Sequence, residues 1–258
     1  MGYCYKVCNR TFTALIITTA ILSSCNFSNK TSQNTAPDRT VTASLANTAE
    51  WVSLFDGKTF DGWHTYGKDD VTSAWKIEDS AIHLVSSAKN GWQTANGGDL
   101  VSNEEYKDFD LIVEWKISKA GNSGLFFYVR ENPPKLNNPN RSGLEMQLND
   151  DENNENGRIP LQRTGDLVGL LSASATKNLK PAGEWNLSEI RCDQGKLFFF
   201  LNGQNVLATK LWDDSWENLL GKSRFKNIDD YGTYKKGRIS LQDHGSDVWF
   251  RNIKIRKL

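Results

Sequence analysis

The sequence predicts an all-β protein: a two-sheet antiparallel β-sandwich of jelly-roll type, with one short helix near residues 213–222. Many short runs rich in β-branched and aromatic residues are separated by turn signals, which is typical of a sandwich. Only one stretch spaces its apolar residues as a helix does. Aromatic residues make up 11% of the 258 residues, and nine of them are tryptophans. This density suits a core of stacked sheets.

The first 24 residues predict a lipoprotein signal peptide. Lys6 and Arg10 precede an uncharged run over 11–22 that leads into Leu-Ser-Ser-Cys25. The run is too short for a helix that spans a bilayer. Cys25 stands where bacterial lipoproteins carry the acylated cysteine that becomes the mature N-terminus. We therefore expect a protein of the bacterial cell envelope that contacts the membrane through its lipid only. The outer membrane, facing the periplasm or the cell surface, is the expected site.

Residues 25–50 predict a flexible tether that begins at the lipidated Cys25. They are mostly Asn, Ser, Thr and Ala, which cannot bury enough apolar surface to offset the entropy lost on ordering. Residues 51–258 then fit one domain. Cys192 is the only cysteine in that domain. No disulfide is expected there, and Cys192 is interpreted as a small buried hydrophobic residue.

The charge balance argues against a nucleic-acid partner. The chain has 31 basic and 31 acidic residues, and Lys6 and Arg10 belong to the signal peptide. The mature protein therefore keeps 29 basic against 31 acidic residues and has no basic excess. Tryptophans in a neutral exported protein suit platforms for sugar rings, although a core alone explains most of them.

In the first half of the domain, turn signals separate five groups of strand-like residues. The run over 109–117 places apolar residues on one face, and the run over 125–129 is apolar on both faces, which predicts a strand inside a covered sheet. The predicted strands are 51–55, the hairpin 75–77 and 81–85, 99–102, 109–117 and 125–129.

The second half predicts four features. A strand over 143–150 is followed by a polar insertion, 151–164, that folds over one rim of the sandwich. A meander of three strands covers 185–192, 196–201 and 206–211. Asp213 and Asp214 predict the cap of the helix that ends near 222. The runs 237–242 and 248–256 are predicted to pair with each other as a closing hairpin.

The predicted strand 143–150 has one apolar and one polar face. Side chains alternate between faces along a strand, so a carboxylate and two amides follow one another about 6.6 Å apart on the polar face. Such a row suits a hydroxyl-rich ligand, and an ordinary solvated face is the alternative interpretation. The polar residues are Glu145, Gln147 and Asn149, and the apolar ones are Leu144, Met146 and Leu148. Glu145 is therefore the first candidate for chemistry.

His244 is the second candidate. An imidazole titrates near neutral pH and can act as a general base or a general acid. His244 lies at the end of a predicted strand in the phrase Gln242-Asp243-His244-Gly245, which gives it an opening to a cleft, and Asp243 can orient its ring. A histidine of an ordinary surface loop is the alternative.

Seven phrases together resemble the 3-keto-disaccharide hydrolase domain family, formerly a domain of unknown function and common in Bacteroidetes lipoproteins. They are Ser53-Leu-Phe-Asp-Gly-Lys58 with Gly62-Trp63, Trp75-Lys-Ile-Glu-Asp79, Gly121-Asn-Ser-Gly124, Glu145-x-Gln147, Gly183-Glu-Trp-Asn186, Leu201-Asn-Gly203 and Leu241-Gln-Asp-His-Gly245. The resemblance covers essentially all of 51–258. It implies a fold like that of concanavalin A, shared with lectins and glucanases, and an enzyme acting on glycosides oxidised at C3.

The chemistry that the resemblance implies is removal of the C2 proton, β-elimination of the aglycone and hydration. It needs a base, an acid and a donor for the enolate oxygen. Glu145 and His244 are the expected catalytic residues, and Arg130 and Arg163 are candidate donors. The expected substrate-binding residues are Gln147, Asn122, Arg130, Asp150, Gln242 and Asp243. The expected partner is a 3-keto-glucoside or 3-keto-disaccharide. No cofactor is required, a divalent ion such as calcium is left open, and the oligomeric state is not predicted.

Two alternatives stay open. Glu145-x-Gln147-x-x-Asp150 has the spacing of Glu-x-Asp-x-x-Glu in laminarinase-type glycosidases, where a bulge returns the last residue to the face of the first. Retaining enzymes of that type need two carboxyl groups about 5 to 5.5 Å apart. The Gln and the shorter Asp weaken this alternative. The other alternative is a noncatalytic, lectin-like sugar-binding module, because fold does not fix function.

Overall fold

The computed structural model describes residues 49–131 and 135–258. The predicted signal peptide, Cys25 and the tether up to residue 48 lie outside these residues. No helix in the described ranges is both long and apolar enough to cross a membrane.

Short strands dominate the described residues. They are β1 Val52–Ser53, β2 Trp63–Thr65, β3 Trp75–Glu78, β4 Ala81–Leu84, β5 Lys89–Asn90, β6 Gln93–Thr94, β7 Leu100–Ser102, β8 Phe109–Ile117, β9 Asn122–Val129, β10 Leu144–Asn149, β11 Asn186–Asp193, β12 Lys196–Leu201, β13 Gln204–Lys210, β14 Arg238–Leu241 and β15 Val248–Lys257. Helix α1 spans Asp214–Lys222, and 3-10 turns cover Pro139–Arg141 and Glu155–Arg158.

The strands form two main sheets and a separate hairpin. The larger sheet has the order β13-β12-β11-β8-β15-β4-β3, with β1 added on β15. The smaller sheet has the order β10-β9-β14-β7-β2, and β5 pairs with β6. Neighbours in both sheets run antiparallel. The predicted two-sheet antiparallel sandwich of jelly-roll type is therefore confirmed.

The core contains the alternate residues that the sequence placed on inward faces. On β8 five apolar side chains are at most 2% exposed: Phe109, Leu111, Val113, Trp115 and Ile117. The indole of Trp115 donates to Ser188 Oγ at 2.9 Å, so its one polar group is paired. Cys192 is a free, fully buried thiol whose pKa is raised by burial to about 11. It packs as an inert hydrophobic residue, as predicted.

Several elements match their predictions closely. The hairpin of β3 and β4, the long strand β8 and the meander of β11, β12 and β13 lie within a residue or two of the predicted bounds. Asp213 caps helix α1, because its carboxylate accepts from Trp216 N at 3.0 Å. Each of these elements has a local sequence signature, which is why the pattern located it.

The predicted closing hairpin of 237–242 and 248–256 is wrong. β14 pairs with β7 and β9 in the smaller sheet, whereas β15 pairs with β4 and β8 in the larger one. The connecting chain crosses from one sheet to the other. The buried carboxylate of Asp243 accepts hydrogen bonds from Thr94 and Gly98, and these contacts hold the connection away from a hairpin path. His244 lies on this connection between β14 and β15.

Candidate active site

A cavity of about 370 Å³ opens on the face of the smaller sheet that is turned away from the core. It brings together five of the eight residues predicted for the site. These are Glu145 and Gln147 from β10, Asn122 from β9, and Gln242 and His244 from the segment after β14. The apolar residues between them on the same strands point into the core, so the alternation of the strands separates site from core.

Gly124 makes the floor of the cavity possible. It lies opposite Gln147 in the register of β9 and β10, and its carbonyl accepts from Gln242 N at 2.9 Å on the other side. A Cβ atom at Gly124 would come within 2.3 Å of Glu145 Oε1. The carboxyl group of Glu145 therefore occupies the space that any other residue would fill.

Burial dominates the electrostatics of Glu145. Its side chain is 8% exposed, and burial raises the pKa of the carboxyl group to about 8. The positive charge of Arg224 opposes this rise, the nearby Asp99 adds to it, and a hydrogen bond from Gln242 opposes it. Below about pH 8 the protonated form of Glu145 therefore predominates.

The environment of His244 shifts its pKa the other way. Burial lowers the pKa of the imidazole, the charge of Lys89 lowers it further, and Asp243 acts in the opposite direction. The ring lies 5.6 Å from the ring of Trp92, centroid to centroid, at the mouth of the cavity. Neutral imidazole is thus favoured over imidazolium at neutral pH.

Three amide oxygens on the cavity floor lack hydrogen-bond partners among the described residues. They are Asn122 Oδ1, Gln147 Oε1 and Gln242 Oε1, and each of these side chains is at most 6% exposed. The Nε2 atom of Gln147 donates to the Gln162 carbonyl at 3.1 Å, which fixes which end of that amide lacks a partner. Buried acceptors normally have partners, so these oxygens are suited to a ligand that donates hydrogen bonds.

Asp243 does not face the cavity, contrary to the prediction that it binds substrate. It is fully buried and accepts from Thr94 N, Thr94 Oγ1, Gly98 N and Gly245 N at 2.8 to 3.0 Å. Its own backbone N–H donates to Asp99 Oδ1 at 2.7 Å. With these bonds made, Asp243 fixes the loop that holds His244 rather than contacting a ligand.

Arg130 and Asp150 also lie outside the cavity and are corrected as binding residues. Arg130 donates to Glu105 Oε1 at 2.8 Å, which occupies its guanidinium elsewhere. Asp150 follows the end of β10, and Ala120 N donates to its carboxylate at 2.8 Å. Arg163, the other candidate donor, lies 3.6 Å from Asp166. All three charged groups are therefore engaged by neighbours outside the cavity.

The position of Asp150 removes the basis for the laminarinase-type interpretation. β10 pairs with β9 in continuous register from Leu144 to Asn149, with no bulge to return Asp150 to the face of Glu145. Five residues along an extended strand separate the two by about 16 Å. Retaining glycosidases need about 5 to 5.5 Å.

The walls of the cavity come from residues that the sequence did not single out. Trp92, 44% exposed, stands on the β5–β6 turn. Arg224, Phe225 and Tyr231 come from the segment after α1, and the last two rings stack with centroids 4.0 Å apart. Trp92 follows a glycine in a turn, a weak signal that the other tryptophans obscured. The segment 224–231 carries no pattern that distinguishes it from a surface loop.

No group of three or more His, Cys, Asp or Glu side chains within 49–131 and 135–258 is arranged to hold a metal ion. The oxygens on the cavity floor come from one carboxyl group and three amides. The calcium ion left open by the sequence stays a prediction.

Comparisons with known proteins agree on one family. The chain is 36% identical over 228 residues to a curated 3-keto-disaccharide hydrolase of Bacteroides thetaiotaomicron, a match that covers 81% of this chain and 78% of the relative. A crystal structure of a candidate glycosyl hydrolase from Parabacteroides distasonis superposes with a TM-score of 0.71 at 33% identity, covering 81% of this chain and 94% of that one. A second candidate glycosyl hydrolase from the same organism gives 0.60 at 27% identity, with 81% and 100% covered. The sequence profile of the 3-keto-alpha-glucoside-1,2-lyase-like domain matches residues 50–256, and the chain belongs to that family.

Proposed function

We propose that this protein is a carbohydrate-active enzyme that cleaves 3-keto-glycosides and 3-keto-disaccharides. The observation that carries the proposal is the cavity, which is lined by a buried carboxyl group, an imidazole and three amide oxygens that have no hydrogen-bond partner among the described residues. Membership of the family supports the proposal, as does the name of the curated relative, 3-keto-disaccharide hydrolase.

Sugar hydroxyls can donate hydrogen bonds to the amide oxygens of the cavity floor that lack partners among the described residues. Leaving a buried polar atom unsatisfied costs about 1 to 3 kcal/mol. A sugar ring carries several O–H donors on adjacent carbons, and Asn122, Gln147 and Gln242 present acceptors within one cavity. Binding of the sugar would therefore satisfy these groups while its apolar ring faces contact the aromatic walls.

The proposed chemistry follows from the ketone. A carbonyl at C3 acidifies the proton on C2, because the electron pair left behind delocalises onto the C3 oxygen as an enolate. Collapse of the enolate forms a C1–C2 double bond and breaks the bond from C1 to the aglycone oxygen, which takes a proton. Water then adds its hydroxyl at C1 and a proton at C2. The net change is hydrolysis, with no covalent enzyme intermediate.

Glu145 and His244, which both line the cavity, divide these proton transfers between them. His244 is favoured in the neutral form, which can accept a proton, and Glu145 in the protonated form, which can donate one. We therefore assign the C2 proton to His244 as general base and the aglycone oxygen to Glu145 as general acid. The reverse assignment needs both groups in their minor protonation states at neutral pH.

The first prediction concerns selectivity. A 3-keto-glucoside is cleaved, and the matched unoxidised glucoside is not, because its C2 carbanion has no carbonyl beside it. Release of the aglycone from the two substrates at equal concentration measures this. Equal rates would indicate an ordinary glycosidase instead. Binding of both sugars with turnover of neither would indicate the noncatalytic module.

The second prediction separates the acid from the base. Glu145→Gln loses about 10²-fold or more in kcat/KM on a 3-keto-disaccharide, because its sugar alcohol leaves only when protonated. It stays near wild type on a 3-keto nitrophenyl glycoside, whose phenolate leaves unaided. His244→Ala loses activity on both.

His64→Ala is the matched control for these variants. His64 lies outside the cavity and bonds to Asn103 and Glu131, so its loss leaves both activities near wild type. The opposite pattern, in which Glu145→Gln fails on both substrates and His244→Ala only on the disaccharide, would assign the base to Glu145.

The third prediction is a bell-shaped pH dependence of kcat/KM. Activity falls at low pH as His244 gains a proton, at a pH below the ordinary imidazole value of about 6.5. Activity falls at high pH as Glu145 loses its proton near pH 8. Both falls are expected on a 3-keto-disaccharide. On the 3-keto nitrophenyl glycoside, whose phenolate needs no acid, wild type and Glu145→Gln both show the acid fall and lack the alkaline fall near pH 8. An alkaline fall of wild type on the nitrophenyl substrate, or of the residual Glu145→Gln activity on the disaccharide, would contradict the role given to Glu145.

The fourth prediction concerns the space beside Gly124 that the carboxyl group of Glu145 occupies. Gly124→Ala forces the carboxyl group of Glu145 away from its position and lowers kcat on the disaccharide by about 10²-fold, the cost of a misplacement on the order of 1 Å. Gly221→Ala is the control, because no atom lies within 4 Å of its added Cβ. Steady-state kinetics and thermal unfolding of both variants give the comparison. Wild-type kinetics in a folded Gly124→Ala would contradict this geometry.

A further inference from the structure

The proposed reaction develops negative charge on the C3 oxygen of the sugar, and neither Glu145 nor His244 is assigned to that atom. Arg224 supplies the one guanidinium among the described residues that line the cavity. We propose that Arg224 is the catalytic residue that donates to the C3 carbonyl oxygen and stabilises the enolate. This inference rests on the proposed function, and it names the residue that stabilises the negative charge on the ketone oxygen.

Two contacts place the guanidinium of Arg224. Its carbon atom Cζ lies 4.8 Å from the centroid of the Phe225 ring, and that ring stacks on Tyr231. It also packs against Gly169, where an added Cβ would come within 2.6 Å of Arg224 Nε and 2.8 Å of Phe225 Cε2. The backbone of Gly169, at φ +70°, thus leaves space that a side chain would fill. Arg224 as a whole is exposed, and its contacts with this ring and this glycine give the guanidinium a position on the cavity wall.

The donors of Arg224 are available. Its guanidinium makes no hydrogen bond or ion pair with another residue in the part of the chain that the structure describes. Arg130 and Arg163, which the sequence offered for the same task, lie 2.8 Å from Glu105 and 3.6 Å from Asp166. Neither lines the cavity. Arg224 is therefore the guanidinium free to meet a ligand there.

Arg224 also lines the same cavity as the groups proposed to react. Its charge acts on Glu145, where it lowers the pKa of the carboxyl group against the effect of burial, and on Tyr231. The C1 oxygen, which Glu145 is proposed to protonate, and the C3 oxygen belong to the same sugar ring. Groups that reach both oxygens of one ring must line the same cavity, as Glu145 and Arg224 do.

The chemistry favours a guanidinium over the neutral amides of the floor. The C3 oxygen is a neutral carbonyl in the bound substrate and carries a negative charge in the enolate. A permanent positive charge therefore stabilises the enolate more than the bound ketone. Arg stays protonated across the pH range of the reaction and presents several N–H donors in a fixed plane. Its loss should therefore lower kcat more than it raises KM.

The test isolates enolate formation from aglycone departure. The probe is the 3-keto derivative of 1,5-anhydroglucitol, which has no aglycone to lose, so exchange of its C2 proton with deuterium oxide reports the enolate alone. Wild type exchanges this proton, and Arg224→Met exchanges it about 10² to 10³ times more slowly, the range for loss of one oxyanion donor. Arg224→Lys, which keeps the charge, falls between the two. In parallel, kcat on a 3-keto-disaccharide falls in Arg224→Met by a similar factor.

Lys226→Met is the matched control. It removes the same charge two residues away, from an exposed side chain that does not line the cavity, and leaves exchange and turnover near wild type. Exchange and kcat within about threefold of wild type in a folded Arg224→Met, or an effect confined to KM, would overturn this inference alone. If wild type neither exchanges the C2 proton nor cleaves 3-keto-glycosides, the proposed function itself fails.

Discussion

The carboxylate of Asp243 is the interaction on which the geometry of this site depends. It is buried completely, yet it accepts four hydrogen bonds, from Thr94, Gly98 and Gly245. Buried polar atoms need hydrogen-bond partners, and these bonds supply them to both carboxyl oxygens of Asp243. The bonds join the segment that leads out of β14 to the β5–β6 hairpin. His244, the next residue, is thereby held beside Trp92 at the mouth of the cavity.

The smaller sheet supplies the other half of the site through ordinary strand geometry. Inward side chains of β10 and β9 complete the core, so the outward ones must be solvated or covered by loops. Here loops cover them, and the covered face keeps a carboxyl group and three amides in a partly enclosed space. Burial then moves the pKa of Glu145 up and that of His244 down, so that both groups favour at neutral pH the forms that the proposed acid and base need.

The sequence predicted the features that have a local cause. Alternation located β8 and β10, and capping located α1. Alternation together with the phrase around His244 selected Glu145 and His244 as candidates, and both line the cavity. The sequence could not predict that β14 and β15 belong to different sheets. A strand has the same residue pattern whether the next strand pairs with it or crosses to another sheet. The positions of Arg130 and Asp243 depend on Glu105 and Thr94, which are remote in sequence. Arg224 owes its place to Gly169 and Phe225, a contact that no periodicity records.

The composition of the floor fits the proposed reaction, which needs no carboxylate nucleophile. A laminarinase-type site has a second carboxylate where this chain has Gln147, and a charge there would lie about 6.6 Å from Glu145 on the same strand face. Such a charge would disfavour any further negative charge in the cavity, including the enolate. An amide holds hydroxyl groups without that penalty. Among the described residues that line the cavity, Glu145 carries the one carboxyl group, and it is protonated below about pH 8. An amide at position 147, where a laminarinase-type site has a carboxylate, therefore suits the enolate of the proposed reaction. It also fits a reaction that uses no carboxylate nucleophile.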